Sequence, residues 1–450
     1  MLDQSGGLMN VTQELCGLIE KTRFDDLPTE AVAEAKLCLL DWLGVTLGGA
    51  GEPLTRILIE VTGRLGGKEQ ASIICHEDKT SMVNAALING SASHALDFDD
   101  VHFQMMGHPT VPVMPALLAL AEHRGSHGRD FLAAFVLGFE AECRIGSSVL
   151  PFHYQQGWHA TSTIGRFGAA VACAKLLGLD ANRMNYAVGL AGTQAAGLKQ
   201  VFGTMAKPFH AGKAAADGLL SALLAEQGFT CSDDILAGDM GFCKVLSPDA
   251  NPEMITQGFG ENFTITNVIF KRHASCFETH PTIDAALDLR RNVTLDEIEE
   301  VCIKAVPVAL EIAGKPEPRT GLEGKFSLAY CAALALALGE TGEDRFTDAY
   351  VLSEPLVGIR KKIKVVGDDE LGLTQAEITV RMRDGRELKS NADTLELGAD
   401  KQRRNADLVR KFRSFSDRLL PPGRTDLILD FVEQLEKKEN MADLLAYCRP

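Results

Sequence analysis

Apolar residues recur at helical spacing through most of the first half of the chain, from Met9 to about Gln227. Within 31–47, Ala35, Leu39, Leu43 and Leu47 fall four apart on one face with Leu40 beside them, which predicts a helix. Similar small-residue apolar stretches predict helices over 82–96, 114–123, 131–149, 165–177, 186–198 and 211–227. Glycines close several of them, as in Leu177-Gly178-Leu179-Asp180 and Gln227-Gly228-Phe229-Thr230. Ala and Gly are abundant while aromatics make up only 6%, so these helices are expected to pack closely through small side chains.

Near residue 265 the texture changes. Segments 264–271, 300–306, 361–366 and 376–382 alternate in the β-branched manner of strands, and Arg383-Asp384-Gly385-Arg386 reads as a hairpin turn. Helical stretches at 280–289 and 326–338 lie between them, and a charged amphipathic helical pattern resumes from 399 to 446. There is no tandem repeat, heptad series or low-complexity linker. The expected fold is mainly α with an α+β second domain. A large helical domain spans 1–265, a smaller α/β lid domain 266–398, and 399–450 returns as helix to the first domain.

Length and composition narrow the class. At 450 residues the chain exceeds one ordinary domain, and 46% hydrophobic with 24% charged is a globular composition. A net charge of −16 argues against nucleic acid or an anionic membrane as a general partner, so any anion site must be a local basic cluster. The eleven cysteines include no Cys-x-x-Cys pair and do not read as a disulfide framework. Residues 1–21 carry Asp3, Glu14 and Glu20 and lack the basic and apolar regions of a secretory leader. The longest apolar run, 328–338, is too short for a bilayer span of about 20 residues. A reduced, soluble, cytoplasmic protein is expected.

Three places share one local design. His108-Pro109-Thr110 opens onto the helix that includes Met114, Leu117 and Leu118. Trp158-His159-Ala160-Thr161-Ser162-Thr163 opens onto the 165–177 helix, and Gly203-Thr204-Met205-Ala206-Lys207-Pro208-Phe209-His210 onto the helix from Ala211. Each puts a basic or titratable side chain just upstream of a helix start, where unpaired N–H groups favour carboxylate or phosphate. If the three converge they form a cationic pocket in an acidic protein; alternatively each histidine satisfies only a local hydrogen bond. Leu96-Asp97-Phe98-Asp99-Asp100-Val101-His102 adds three acids that read as a metal site, as orienting partners for histidines, or as a solvated helix end. The spacing fits no EF-hand loop or facial triad, and no metal is expected; His123 and His127 straddle a Gly-Ser turn and read as surface loop. P-loop, dinucleotide-binding and nucleophile-elbow motifs are absent. Cys276, between His273 and His280, reads as an activated thiol or as an inert buried one.

These stretches, with Asn89-Gly90-Ser91-Ala92-Ser93-His94-Ala95 ahead of the acids, 271–286 and Lys325-Phe326-Ser327-Leu328-Ala329-Tyr330, resemble the MmgE/PrpD family in order over essentially the whole chain. That family includes 2-methylcitrate dehydratase, cis-aconitate decarboxylase and iminodisuccinate epimerase. The resemblance implies a homodimer, a helical domain built from both termini, an α/β lid and an active site in the cleft between them. No metal or organic cofactor is implied. In the decarboxylase branch the important positions match Asp97, His108, His159 and Lys207. A further histidine of that branch aligns with Cys276, and a tyrosine before the Lys-Phe-Ser motif has no clear counterpart. The wording Gly-Trp-His-Ala-Thr-Ser-Thr and Phe-Gly-Thr-Met-Ala-Lys-Pro is closer to the epimerase branch.

The expected chemistry is bond cleavage next to a carboxylate of a small di- or tricarboxylic acid, with a 2-methylcitrate dehydratase-like hydro-lyase as the leading reading. An epimerase of an iminodisuccinate-like substrate and a cis-aconitate-type decarboxylase are the alternatives. Lys207 and the following helix start would hold a carboxylate, His159 and His108 would serve as base and acid, and Asp97 would orient a histidine. Thr204, Lys271, Arg272, Cys276 and His280 are expected to complete substrate binding. A metal-dependent hydrolase built on 97–108 and a non-catalytic helical scaffold are the readings from other classes.

Overall fold

The computed structural model describes residues 10–450, so the part of the leader reading that rests on 1–9 lies outside the described residues. The helical part is built from α1 (Val11–Lys21), α2 (Thr29–Gly49), α3 (Pro53–Leu65), α4 (Met82–His94), α5 (Thr110–Arg124) and α6 (Gly128–Val149). It continues through a short turn of helix, Ala160–Thr163, into α7 (Gly165–Leu176), α8 (Ala181–Gly192) and α9 (Ala206–Glu226). Local chemistry sets these ends: Ser81 and Asp180 accept the N–H groups of Asn84 and Arg183 at the starts of α4 and α8. Gly125 closes α5 in the left-handed conformation.

Small residues let α4 and α9 touch backbone to backbone. A Cβ on Gly90 would lie 2.8 Å from Gly212 Cα, and one on Gly212 would lie 2.1 Å from Leu87 O. This contact seats the start of α9, which carries Lys207 and His210, against the end of α4, which carries His94. Gly212→Ala is therefore expected to lower stability by about 1–3 kcal/mol, because backbone cannot yield as a side chain does. Gly63→Ala on α3, where nothing lies within 4 Å, is expected to be neutral or stabilising. Thermal melts of the two variants check both outcomes.

The second part begins with α10 (His280–Leu289), followed by β1 (Ile298–Ala305), α11 (Leu328–Leu338), β2 (Ile363–Gly367), β3 (Gln375–Met382) and β4 (Glu387–Asp393). The sheet order is β2-β1-β3-β4; β1 runs parallel to β2 and antiparallel to β3, with Ile303 opposite Ile378 and Val301 opposite Val380. A turn at 383–386 joins β3 to β4 as an antiparallel hairpin. α10 packs on β3 and β4. The chain then re-enters the helical part as α12 (Lys401–Leu419). Phe412 and Phe415 of α12 lie against Gly44 and Gly48 of α2, while Arg404 and Lys411 reach Glu34 and Asp41.

Three expected elements differ. Segment 264–271 is a 3-10 turn, Thr264–Asn267, followed by a single bridge between Val101 and Ile269, so its β-branched residues serve core burial rather than a ladder. The helix expected over 186–198 ends at Gly192; Gly197, with φ of +138°, then brings the chain against Ser162, where a Cβ would sit 2.5 Å away. The helix expected from Ala211 begins at Ala206, with Pro208 in the first turn, where no intrahelical N–H bond is lost. Lys207 is thus on the helix rather than upstream of it. Among the described residues no helix is long and apolar enough to cross a membrane.

Candidate active site

The site is organised by the loop that follows α4. His94 ends the helix, and Asp97 turns the chain in the left-handed region, with φ of +50°, a conformation that costs a non-glycine residue about 1–2 kcal/mol. The turn sends Asp97 and Asp99 to different partners. Asp97 takes Lys271 Nζ at 2.5 Å and Lys207 Nζ at 2.9 Å, while His108 Nε2 stands 3.7 Å away. Asp99 lies between two imidazoles, 2.9 Å from His94 Nδ1 and 2.8 Å from His108 Nδ1. Asp100 is spent structurally, accepting from the N–H and hydroxyl of Thr110 at the start of α5.

The helix starts do converge, but not as an uncompensated cationic pocket. His108, His159 and Lys207 line one cleft with Lys271, Cys276, Tyr154, Phe202 and Phe326. Both lysine ammonium groups share the Asp97 carboxylate, because buried cations require a counter-charge. The ammonium of Lys207 also lies 5.5 and 5.4 Å from the ring centroids of Phe202 and Phe326. Asp97 was expected to orient a histidine; it stands 3.7 Å from His108 Nε2, while Asp99 is the carboxylate whose oxygens reach Nδ1 of both His94 and His108.

A second histidine pair stands at the cleft. His159 Nδ1 lies 3.0 Å from His210 Nδ1, so one ring donates and the other accepts. Thr161 Oγ1 accepts the His108 N–H, which ties the two histidine-bearing segments together. Burial, reinforced by Lys207 and the neighbouring histidines, holds His159 well below the ordinary imidazole range. Burial also lowers His108, but Asp99 opposes that shift, and His94 falls to about 4 against the same opposition. Burial would raise Asp97 and Asp99, yet the lysines beside the first and the histidines beside the second hold both well below the usual carboxylate range. The cleft thus presents a neutral His159 beside ionised carboxylates and ammonium groups.

The other expected binding residues divide. Lys271 and Cys276 line the cleft, but burial, with Glu278 next, pushes the Cys276 thiol well up, and it donates to Glu278 at 2.7 Å. An activated thiolate is not what this environment makes. Thr204 is exposed; its hydroxyl donates to Val201 O and accepts from the Ala206 N–H. Arg272 turns away to pair with Asp284. His280 is fully buried against the rings of Phe277 and His273, outside the cleft lining. His94, Asp99, His210 and Tyr154 were not among the expected site residues. Lys207 and His210 stand three apart on one helix, a spacing that places both on one face and was available in the sequence.

His94, Asp97, Asp99 and His108 each offer a donor atom within 4.8 Å of the others, the geometric minimum for a cation site. The charges oppose that use, since Asp97 already stands between two ammonium groups that would repel a divalent ion.

Comparison with known proteins decides the family. The MmgE/PrpD N-terminal domain model matches residues 13–255, and the MmgE/PrpD C-terminal domain model matches 273–437. The chain belongs to the MmgE/PrpD family. Among the relatives of this MmgE/PrpD chain, the cis-aconitate decarboxylase-like protein oryM of Aspergillus oryzae is 30% identical over 97% of both chains. The cis-aconitate decarboxylase of Aspergillus terreus is 26% identical, with 98% of this chain and 96% of the relative covered. The human cis-aconitate decarboxylase is 25% identical, with 97% and 94% covered. All are full-length likenesses, so both MmgE/PrpD domains and the cleft residues from each fall inside the match.

Proposed function

We propose that this MmgE/PrpD chain is a cofactor-independent lyase, a hydro-lyase acting next to a carboxylate of a small di- or tricarboxylic acid. The observation that carries this reading is the contrast between two histidines on one cleft. The titratable groups acting on His159 are Lys207 and other histidines, so it is a neutral base; with its Nδ1–H given to His210, Nε2 is left to take a proton. Burial lowers His108 as well, but Asp99 at Nδ1 opposes that shift and Asp97 stands near Nε2, so of the two rings His108 keeps a proton more readily. Environments that push two titratable groups apart assign one as base and the other as acid.

In this reading a substrate carboxylate meets Lys207 and Lys271, which share their charge between it and Asp97. His159 removes the proton from the carbon beside that carboxylate, and the lysines stabilise the enolate-like charge that develops. His108 gives its proton to the departing hydroxyl, releasing water and an unsaturated acid. The resting enzyme is restored when His159 returns its proton to solvent and His108 takes one up. The second reading, decarboxylation, draws on the names of the relatives, each a cis-aconitate decarboxylase or a protein like one. It needs a proton supplied to carbon after CO₂ leaves rather than one removed at the start. An epimerase would use the same pair with the proton returned to the opposite face. The proposed assembly is a homodimer, checked by light scattering on the eluting protein.

Proton NMR of chelator-treated enzyme in deuterium oxide separates these outcomes, with citrate, 2-methylcitrate, cis-aconitate and iminodisuccinate as substrates. A new vinyl signal formed with loss of water supports the hydro-lyase. Release of CO₂ from cis-aconitate transfers the assignment to the decarboxylase, and deuterium at the α-carbon without new product transfers it to the epimerase. No change with any of the four sinks the proposal. Restoration of activity by a divalent ion would reinstate the cation site.

A further inference from the structure

Three lysines converge on the turn that carries Asp97. Its three consecutive carbonyls each accept from a different lysine: Leu96 O from Lys325 at 2.6 Å, Asp97 O from Lys271 at 3.0 Å, and Phe98 O from Lys411 at 2.5 Å. The three lysines come from three parts of the chain: the approach to α11, the segment before α10, and α12. Each has a second anchor. Lys325 also donates to Ala274 O at 2.6 Å, Lys411 to Asp41 at 2.7 Å, and Lys271 to the Asp97 carboxylate. The carbonyls need these donors because α4 has ended and a left-handed residue breaks the ladder.

No carboxylate pairs with Lys325 within 4.0 Å among the described residues; its ammonium is spent on two carbonyls and lies 4.7 Å from the Phe346 ring centroid. Burying an ammonium group for two backbone bonds and no paired carboxylate is costly. We propose that Lys325 and Lys411 are positioning residues that hold the Leu96–Phe98 turn, so that Asp97 is presented to Lys207 and Lys271, and Asp99 to His94 and His108. The turn thereby becomes the junction of the helical part, the sheet part and the C-terminal helix. Its kinetic consequence rests on the lyase reading, but its structural consequence does not.

The junction is also sensitive to alkali. Burial brings Lys325 down to about 8, with Asp97, Glu52 and Glu343 opposing the shift and Lys271 adding to it. The Cys331 thiol is also near, with burial raising it to about 12, so it stays protonated in this range. As pH rises through about 8, Lys325 loses the charge that strengthens both carbonyl bonds.

The test is imidazole NMR on ¹⁵N-histidine-labelled full-length protein, which needs no substrate, together with kinetics on whichever acid proves to be turned over. In wild type the hydrogen-bonded Nδ1–H signals of His94 and His108 are expected to hold near neutrality and to broaden or shift with a midpoint near pH 8. In Lys325→Met and Lys411→Met, with melting and circular dichroism showing a folded chain, the same signals are displaced at neutral pH. In both variants kcat falls about 10–100-fold while KM moves less than about threefold, as expected when reacting groups are misplaced by up to an ångström. In Lys325→Arg, where the charge does not titrate, the pH-8 transition disappears. Unchanged histidine signals in both folded methionine variants overturn the proposal. If the variants do not fold, a wild-type titration flat through pH 9 does so. Displaced signals with no turnover of any acid would leave the junction standing and remove the lyase reading instead.

Discussion

His159→Gln is expected to lower kcat by about 10²–10⁴-fold while the protein stays folded and still binds a dicarboxylate. The glutamine keeps a side chain of similar reach and a donor for His210, but has no lone pair able to take a proton from carbon. His159 is fully buried in a setting that favours its neutral form, so no neighbouring group among the described residues offers the same base from the same position. His210→Asn should cost much less, about 10-fold, because it removes only the acceptor that steadies the His159 tautomer. The ordering His159 far above His210 distinguishes a base with an orienting partner from two interchangeable histidines. Steady-state kinetics and a thermal-shift binding curve on the two variants measure it. A His159→Gln enzyme retaining more than about a tenth of wild-type kcat would exclude His159 as the base.

Acid is expected to destabilise this fold earlier than carboxylate protonation alone would. His94, His102 and His153 are buried and held at about 4, in each case chiefly by burial, and His159 and His280 lie well below the ordinary value. An unfolded chain protonates these rings as pH falls through about 6.5, whereas the folded chain does not until it nears 4. The unfolded state therefore binds more protons across that window, and stability falls as pH falls. Four carboxyls act in the opposite sense: Asp100 is pushed up to about 8, Glu142 well above the usual range, and Asp41 and Glu52 are also raised, each chiefly by burial. The histidines outnumber them, so a net loss on the order of 5 kcal/mol is expected between about pH 6.5 and pH 4. That is comparable to the whole stability of an ordinary domain. Urea denaturation at about pH 7, 6 and 5 tests it, and a midpoint that stays constant over those values would show that the rings are charged when folded.

These two expectations depend on unequal parts of the sequence. The paired segments Asp97 to His108 and Trp158 to Thr163, and the stretch from Gly203 to His210, were legible because titratable residues sat beside helix starts. The order of the MmgE/PrpD motifs carried the family. The small-residue helices and the sheet strands 300–306, 361–366 and 376–382 followed from apolar period and β-branched alternation, which are local properties. Segment 264–271 failed for the same reason, since alternation reports burial and strand pairing depends on a neighbour.

The class of the chain, its family and the segments that supply the site were therefore readable from residue order alone. Which charge answers which depends on how the chain folds back on itself. Asp97 and Asp99 are two residues apart and chemically identical, yet the left-handed turn between Leu96 and Phe98 sends one to the lysines and the other to the histidines. Lys271, Lys325 and Lys411 are ordinary lysines in the sequence, and their shared task arises because three distant segments meet at three adjacent carbonyls. Proton affinity follows burial and the nearest few ångströms of charge, and those are set by where the chain folds back.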